Sequence, residues 1–195
     1  MEEECTGEDR ELLSYIQTSS ERIEQYLELL MGVVNHDSMD IHREFIPLKN
    51  FIDEVEAEIL PLCRIGKIEL EIRNHLEEQV EIFADKELLK RTLVNVVDNA
   101  VRYSDENSDI TLDISEEENS VQFKISDCGK GFSEESLKRA TEEFYTEDTS
   151  RTNHNYGLGL NFARRIAELH GGTLTLGNRS ERKGAEVLIE ISKTD

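Results

Sequence analysis

Positive charge is scarce in this sequence: 22 Lys and Arg stand against 43 Asp and Glu, a formal net charge of −21. Phosphate backbones and anionic membrane surfaces attract basic patches, so the balance argues against a nucleic-acid ligand and against a basic membrane-surface stripe. Cysteine is also scarce. Cys5, Cys63 and Cys128 are odd in number, and their spacing fits neither a disulfide framework nor a zinc site. A reducing, cytoplasmic setting follows. Long apolar runs are missing. The stretch from Leu29 to Val34 is broken by Gly32 and falls short of the ~20 residues a membrane helix needs. Glu2, Glu3 and Glu4 stand where a signal peptide would be basic. The anchor of a membrane-bound parent is therefore expected outside this chain. Trp is absent and only two prolines occur, yet apolar residues recur at regular spacing, which separates the chain from a disordered one.

The spacing divides the chain into two units, 1–45 and 46–195. From Glu8 to about Val34, Leu12, Ile16, Ser19, Ile23, Tyr26, Leu30 and Val33 step alternately by four and three residues. That is a heptad seam, widened by Leu13, Leu27 and Val34, and it predicts a long helix. Such a stripe either packs on the domain behind it or forms a bundle with a second copy. Residues 35–46 read as a linker. Pro47 suits the first position of a helix from Leu48, and Pro61 is expected to end that helix near Ile59.

After Gly66 the period becomes two. Ile68, Leu70 and Ile72 predict one strand and Val80 to Ala84 a second. Asp85 caps a predicted helix reaching Tyr103, and Ile110–Ile114 with Val121–Ser126 form a hairpin. Ser133 caps a helix over about 134–143. Thr146 to Tyr156 lacks periodicity. Gly157 opens a helix that Gly171 and Gly172 stop, and Thr173–Leu176 and Ala185–Ile191 close the chain. This order excludes a doubly wound parallel sheet. It predicts an α+β fold, a two-layer sandwich with a mixed, largely antiparallel sheet, preceded by the long helix.

Four local signals carry possible chemistry. Asn95 and Asn99 share a helix face at four-residue spacing, with Asp98 beside them. Either they form a hydrogen-bonded helix surface, or their oxygens help to hold Mg²⁺. Asp127-Cys128-Gly129-Lys130-Gly131 ends a strand; it reads as an ordinary turn or as a close backbone approach to a ligand, with Asp127 accepting an amine. Asn155-Tyr156-Gly157-Leu158-Gly159-Leu160 runs into a helix and reads as a plain junction or as a phosphate cradle. Phe144-Tyr145 with Arg151 reads as a loop anchor or as a lid whose Arg reaches a phosphate. No P-loop pattern occurs.

In this order and spacing the four signals resemble the catalytic and ATP-binding domain of bacterial sensor histidine kinases, within the superfamily of gyrase, heat-shock chaperone and mismatch-repair ATPases. The stretch LKRTLVNVVDNAVRYS from Leu89 is similar to the N box. Asp127–Phe132 is similar to the G1 box, Phe144–Arg151 to the F box, and Gly157–Leu160 with the helix behind it to the G2 box. The resemblance covers about residues 46–195. It implies ATP and Mg²⁺ as cofactors, with Asn99 as the metal ligand. Asn95 lies where gyrase-like ATPases place a water-activating Glu; an Asn there cannot act as a base, which suits transfer to a partner rather than hydrolysis. Arg102 would face the phosphates and Tyr103 would lie near the adenine. Asp127 would accept the adenine amine, with Gly129 and Gly131 giving access. Phe144, Arg151, Gly157, Leu158, Gly159 and Leu160 complete the nucleotide-binding set, under a lid over 147–156.

Two departures stand out. Asn155 takes the place of the first glycine of the G2 pattern. The family's phosphoacceptor box, His followed by an acidic residue, a basic residue, Thr and Pro, matches none of His36, His42, His75, His154 or His170. The resemblance therefore implies a γ-phosphoryl transfer to a His on a separate helical hairpin, with a response regulator as further partner and a homodimeric parent. Two alternatives remain at this point: a protein-serine kinase of the anti-sigma type, and a non-catalytic interaction module.

Overall fold

The computed structural model describes residues 41–146 and 157–194. The long helix predicted over 8–34, His36, Arg151, His154, Asn155 and the 147–156 lid lie outside the described residues. The described residues belong to a unit that starts at Ile41.

Its elements are β1 (Glu44–Pro47), α1 (Leu48–Ile65), β2 (Glu69–Asn74), β3 (Glu81–Ala84), α2 (Lys86–Tyr103), β4 (Asp109–Glu116), β5 (Ser120–Ser126), α3 (Glu134–Arg139), α4 (Gly159–Leu169), β6 (Thr173–Asn178) and β7 (Ala185–Ser192). Five strands form one sheet in the order β2-β4-β5-β7-β6. The β2–β4 pair is parallel and the other three pairs are antiparallel. The mixed, largely antiparallel sheet is thus the predicted one.

Register turns the two-residue alternation into continuous apolar rows. Ile72 lies opposite Leu112, Leu112 opposite Ile125, Ile125 opposite Val187, and Val187 opposite Leu176. The next row runs through Ile114, Phe123, Ile189 and Leu174. The alternate positions carry polar residues such as Asp113, Lys124 and Glu190, so only one face is apolar. The helices cover that face. α2 buries Leu89, Leu93, Val96, Val97 and Ala100 and packs against both α1 and α4. Each fully buried Leu or Ile removes apolar surface worth about 1.5–3 kcal/mol, which makes this helix–sheet layer the main source of stability.

Three local expectations are corrected. The segment read as linker contributes β1, whose Ile46 lies opposite Ile82 of β3 in a separate two-stranded sheet. Both side chains are buried, so a non-local apolar contact overrides the turn-forming residues just before them. Pro61 does not end α1. The helix runs through it to Ile65, because Ile59 and Cys63 are both buried on the core side and Gly66 closes the helix through Leu62 O. α3 is shorter than expected. Ser133 caps it by accepting from Ser136 N, but it stops at Arg139, where Ala140 and the following turn leave the helix.

One buried histidine joins three parts of this unit. His170 follows α4 and is 3% exposed. Its Nδ1 donates to Ile166 O at 2.7 Å, and its Nε2 accepts from Asp85 N–H at 2.8 Å. Asp85 in turn caps α2 by accepting from Leu88 N, and takes His42 N on its other oxygen. Arg43 donates to Leu169 O. Burial lowers the His170 pKa; the bond to Ile166 O opposes it, the nearby Arg43 charge adds to it, and the Asp85 charge opposes it.

The unfolded chain protonates this histidine near pH 6.5, whereas the folded chain resists until lower pH. The unfolded state therefore binds more protons in that window, and stability falls as pH falls below about 6.5. The expected outcome is a melting temperature that drops in this range, with the dependence flattened in His170→Gln. His170→Ala should also orphan the Asp85 N–H and lower stability by about 1–3 kcal/mol at pH 7.5. Thermal melts of the three proteins between pH 5 and 8 check both statements.

Candidate functional site

The sheet, α2 and α4 leave one cleft whose walls bring together most of the motif residues. It spans about 800 Å³ of space when the part open to solvent is counted. Ile125 and Val187, adjacent on β5 and β7, belong to its apolar lining. Asp127 follows β5 directly. Asn99 and Tyr103 come from α2, and Gly157, Gly159 and Leu160 come from the start of α4.

Asp127 is 6% exposed. Its Oδ1 accepts from Gly129 N at 2.8 Å and from Ala185 N at 3.0 Å. Its own N–H donates to Ala185 O. Among the described residues, no hydrogen bond reaches Oδ2, so that oxygen remains an acceptor for a ligand in the cleft. Burial raises the carboxyl pKa, while the two backbone N–H groups and the Arg179 charge pull it down less strongly.

The loop after Asp127 rests on the end of α2. A Cβ at Gly129 would overlap the Tyr103 carbonyl, so only glycine permits the approach. Lys130 Nζ lies 5.6 Å from the centre of the Tyr103 ring, at the cleft wall. On the opposite side, Gly157 has φ +70°, and a Cβ there would overlap the Tyr145 backbone. Gly159 brings the first turn of α4 against α2: a Cβ would sit 3.1 Å from the Asn99 amide. Asn99 thus lies beside the N-terminus of α4, where free backbone N–H groups and the helix dipole favour an anion.

Not every expected residue reaches the cleft. Asn95, Arg102, Gly129, Phe144 and Leu158 do not line it. Arg102 pairs with Asp98 one turn back, at 2.7 Å. Leu158 is 9% exposed and serves as the residue before α4. Phe144 is 63% exposed, has φ +62°, and borders a shallower polar hollow with Lys130 and Arg139. Its neighbours Tyr145 and Thr146 line the cleft instead. Tyr145 is held by its hydroxyl against Ser136 Oγ and by the Arg139 guanidinium over its ring. Arg139 itself is fixed by Glu135 and Glu142. The apolar lining from Val96, Ile125 and Val187 carried no separate sequence signal, because its alternation is that of any core strand or helix.

The donor set fits a magnesium nucleotide rather than a protein-held metal. Among the described residues, no cluster of three or more His, Cys, Asp or Glu could hold an ion alone. One amide at Asn99, next to an anion-attracting helix end, suits Mg²⁺ that keeps waters and shares ligands with phosphates.

Comparison with known proteins agrees with this geometry. Residues 84–195 match the family described as histidine kinase-, DNA gyrase B- and HSP90-like ATPases. The sensor histidine kinase SpaK of Bacillus subtilis is 34% identical over 187 residues, which covers 94% of this chain and 40% of that protein. The nisin biosynthesis sensor protein NisK of Lactococcus lactis is 32% identical over 153 residues, 78% of this chain and 34% of that protein. The chain thus spans well under half of these relatives. Among solved structures, the nucleotide-free catalytic domain of the histidine kinase ThkA superposes with a TM-score of 0.69 at 26% identity, covering 79% of this chain and 99% of that one.

Asp127→Asn separates site from scaffold. The amide oxygen can still accept from Gly129 and Ala185, while the amide NH₂ would face the cleft. Because burial raises the Asp127 pKa, its charge opposes folding above that pKa, and the stability of the protonated form is lost as pH rises. Asn should therefore leave the melting temperature at pH 7 unchanged or higher. It should lower affinity for a ligand amine by about tenfold or more, since a donor now meets a donor. Calorimetry with and without adenine nucleotide checks both halves.

Proposed function

The chain belongs to the histidine kinase-, DNA gyrase B- and HSP90-like ATPase family, and from that premise we propose that it is the Mg-ATP-binding catalytic core of a two-component sensor histidine kinase. The observation that carries the reading is the joint placement of Asp127, Asn99, Gly157 and Gly159 on one cleft. Its two ends differ in chemistry: a buried carboxylate for an amine, and a helix N-terminus beside an amide for phosphates. Sensor kinases among the relatives support it further.

In this reading the adenine lies on the apolar lining from Ile125 and Val187, and its exocyclic amine donates to Asp127. The first turn of α4 takes the phosphates, and Asn99 helps to hold Mg²⁺. When bound, that ion neutralises charge on the phosphate oxygens. The domain's own task is to hold the γ-phosphoryl group in line with an imidazole nitrogen supplied on a helical hairpin. The nitrogen–phosphorus bond forms as the bond from the γ-phosphorus to the β–γ bridging oxygen breaks, and ADP leaves. A neutral imidazole is already nucleophilic, so positioning contributes more than base catalysis. Asn95, at the position of a hydrolytic Glu, offers no base to a water. A response regulator then receives the phosphoryl group. The parent protein is a homodimer that works in the cytoplasm, either free or as the inner part of a membrane sensor. No described helix is long and apolar enough to cross a membrane.

The test mixes γ-labelled ATP, Mg²⁺, this chain and a separate hairpin bearing the acceptor His. Acid-labile label on the hairpin is the expected result. Acid-stable label on a protein Ser would favour the anti-sigma reading, and no stabilisation of the chain by saturating Mg-ATP would favour a non-catalytic module. Asn99→Ala should weaken Mg-ATP binding roughly tenfold or more, from the loss of a polar contact to a charged group. It should change ATP binding in EDTA much less. Equal losses under both conditions would remove Asn99 from the metal's shell.

A further inference from the structure

The last residue of β6 and the first residue of the turn after it hold both ends of the loop that carries Asp127. At the far end, Asn178 makes two bonds to one residue. Phe132 N–H donates to Asn178 Oδ1 at 2.7 Å, and Asn178 Nδ2 donates to Phe132 O at 2.8 Å. A side-chain amide thus replaces a neighbouring strand for one peptide step. At the near end, Arg179 Nη1 donates to Asp127 O at 3.1 Å. Arg179 N also bonds Gly184 O, which closes the turn on itself. Between these two anchors the loop crosses Gly129, against Tyr103, and Gly131, which lines the cleft. Gly131 has φ +77°, and a Cβ there would lie 2.7 Å from Asn178 Oδ1. The Asn178 amide and the glycine therefore fit each other closely.

We propose that Asn178 is a positioning residue that sets the base selectivity of the cleft, acting through the backbone of Gly131 and Phe132. The proposal rests on the nucleotide reading given above. The Asp127 carboxylate accepts an adenine amine, whereas guanine presents a carbonyl oxygen at the same place. Acceptor against acceptor is rejected only while the loop cannot yield and let the base slide. Asp127 is tied at Oδ1 to Gly129 and Ala185, so the carboxylate end is already rigid. The remaining freedom lies in the Gly131–Phe132 wall, and among the described residues Asn178 is the side chain that hydrogen-bonds both polar backbone groups of Phe132. Arg179 does the corresponding work at the other end, so the two consecutive residues form one brace.

The test measures dissociation constants for Mg-ATP and Mg-GTP by competition with a fluorescent nucleotide. Four proteins are compared: the parent chain, Asn178→Ala, Arg179→Met and Thr175→Gly. Thr175 lies exposed on β6 away from the cleft and serves to lower stability without touching the loop. Asn178→Ala should weaken Mg-ATP about tenfold through the loss of two hydrogen bonds, and Mg-GTP by less, so the ATP-to-GTP ratio narrows. Arg179→Met should narrow it in the same direction, which keeps the test open if one variant folds poorly. Thr175→Gly should lower the melting temperature and leave the ratio alone. An unchanged ratio in Asn178→Ala, or equal narrowing in Thr175→Gly, overturns the positioning role while the nucleotide reading stands. A parent chain that binds both nucleotides equally also overturns it. A parent chain that binds neither overturns the nucleotide reading and this proposal with it.

Discussion

The buried carboxylate of Asp127 is the point from which the cleft takes its shape. Two backbone N–H groups from different parts of the chain, Gly129 and Ala185, converge on one of its oxygens. That convergence fixes the end of β5, the start of β7 and the first turn of the loop that follows β5. Burying a carboxylate is unfavourable unless its hydrogen bonds are made. Burial raises the Asp127 pKa against those two bonds. In the proposed reading the second carboxylate oxygen is the one left for the ligand.

The same logic extends through the helix layer. α2 carries Asn99 and lies between α1 and α4, so its position determines where the amide meets Gly159. His170 and Asp85 tie the far end of α4 to the start of α2. The two helices that frame the cleft are thus locked at one end by a buried polar pair and approach each other through a glycine at the other. Buried pairs of this kind specify geometry more than they add stability, because each partner left alone would be an unsatisfied polar group. Arg43 and the His42 N–H reach the same junction, so the backbone that leads into β1 is anchored at the helix caps.

Local signals were legible in the sequence and non-local ones were not. Asp85 and Ser133 announced their helices because a cap is a contact over three residues. The hairpin of β4 and β5 followed from alternation and an acidic turn. β1 was hidden, since Glu44–Pro47 has meaning only opposite Glu81–Ala84, and it contains a proline. Pro61 misled because burial of Ile59 and Cys63 on either side of it outweighs one lost helix bond. The glycines were legible by number, but their reasons lie in Tyr103 and Tyr145 backbone far along the chain. The choice between the adjacent aromatics Phe144 and Tyr145 depended on a single positive φ, which no pattern of residue types encodes. Asn178 gave no signal, because its partners are main-chain atoms 46 residues away.

Net charge poses a last physical question, since the proposed ligand is a polyanion and the chain stands at −21. Screening answers part of it: beyond about 10 Å at 0.1 M salt, surface charges contribute little. The composition of the cleft answers the rest. Asp127 is the one acidic residue among the described lining residues. Around the first turn of α4 the described lining residues are Asn99, Gly157 and Gly159, so backbone dipoles and an amide stand there in place of a carboxylate. Under the nucleotide reading proposed above, such a site would select phosphates by short-range geometry more than by long-range steering. Under the kinase reading proposed above, such geometric binding would suit a domain that exchanges nucleotide and passes a phosphoryl group to a separate protein surface.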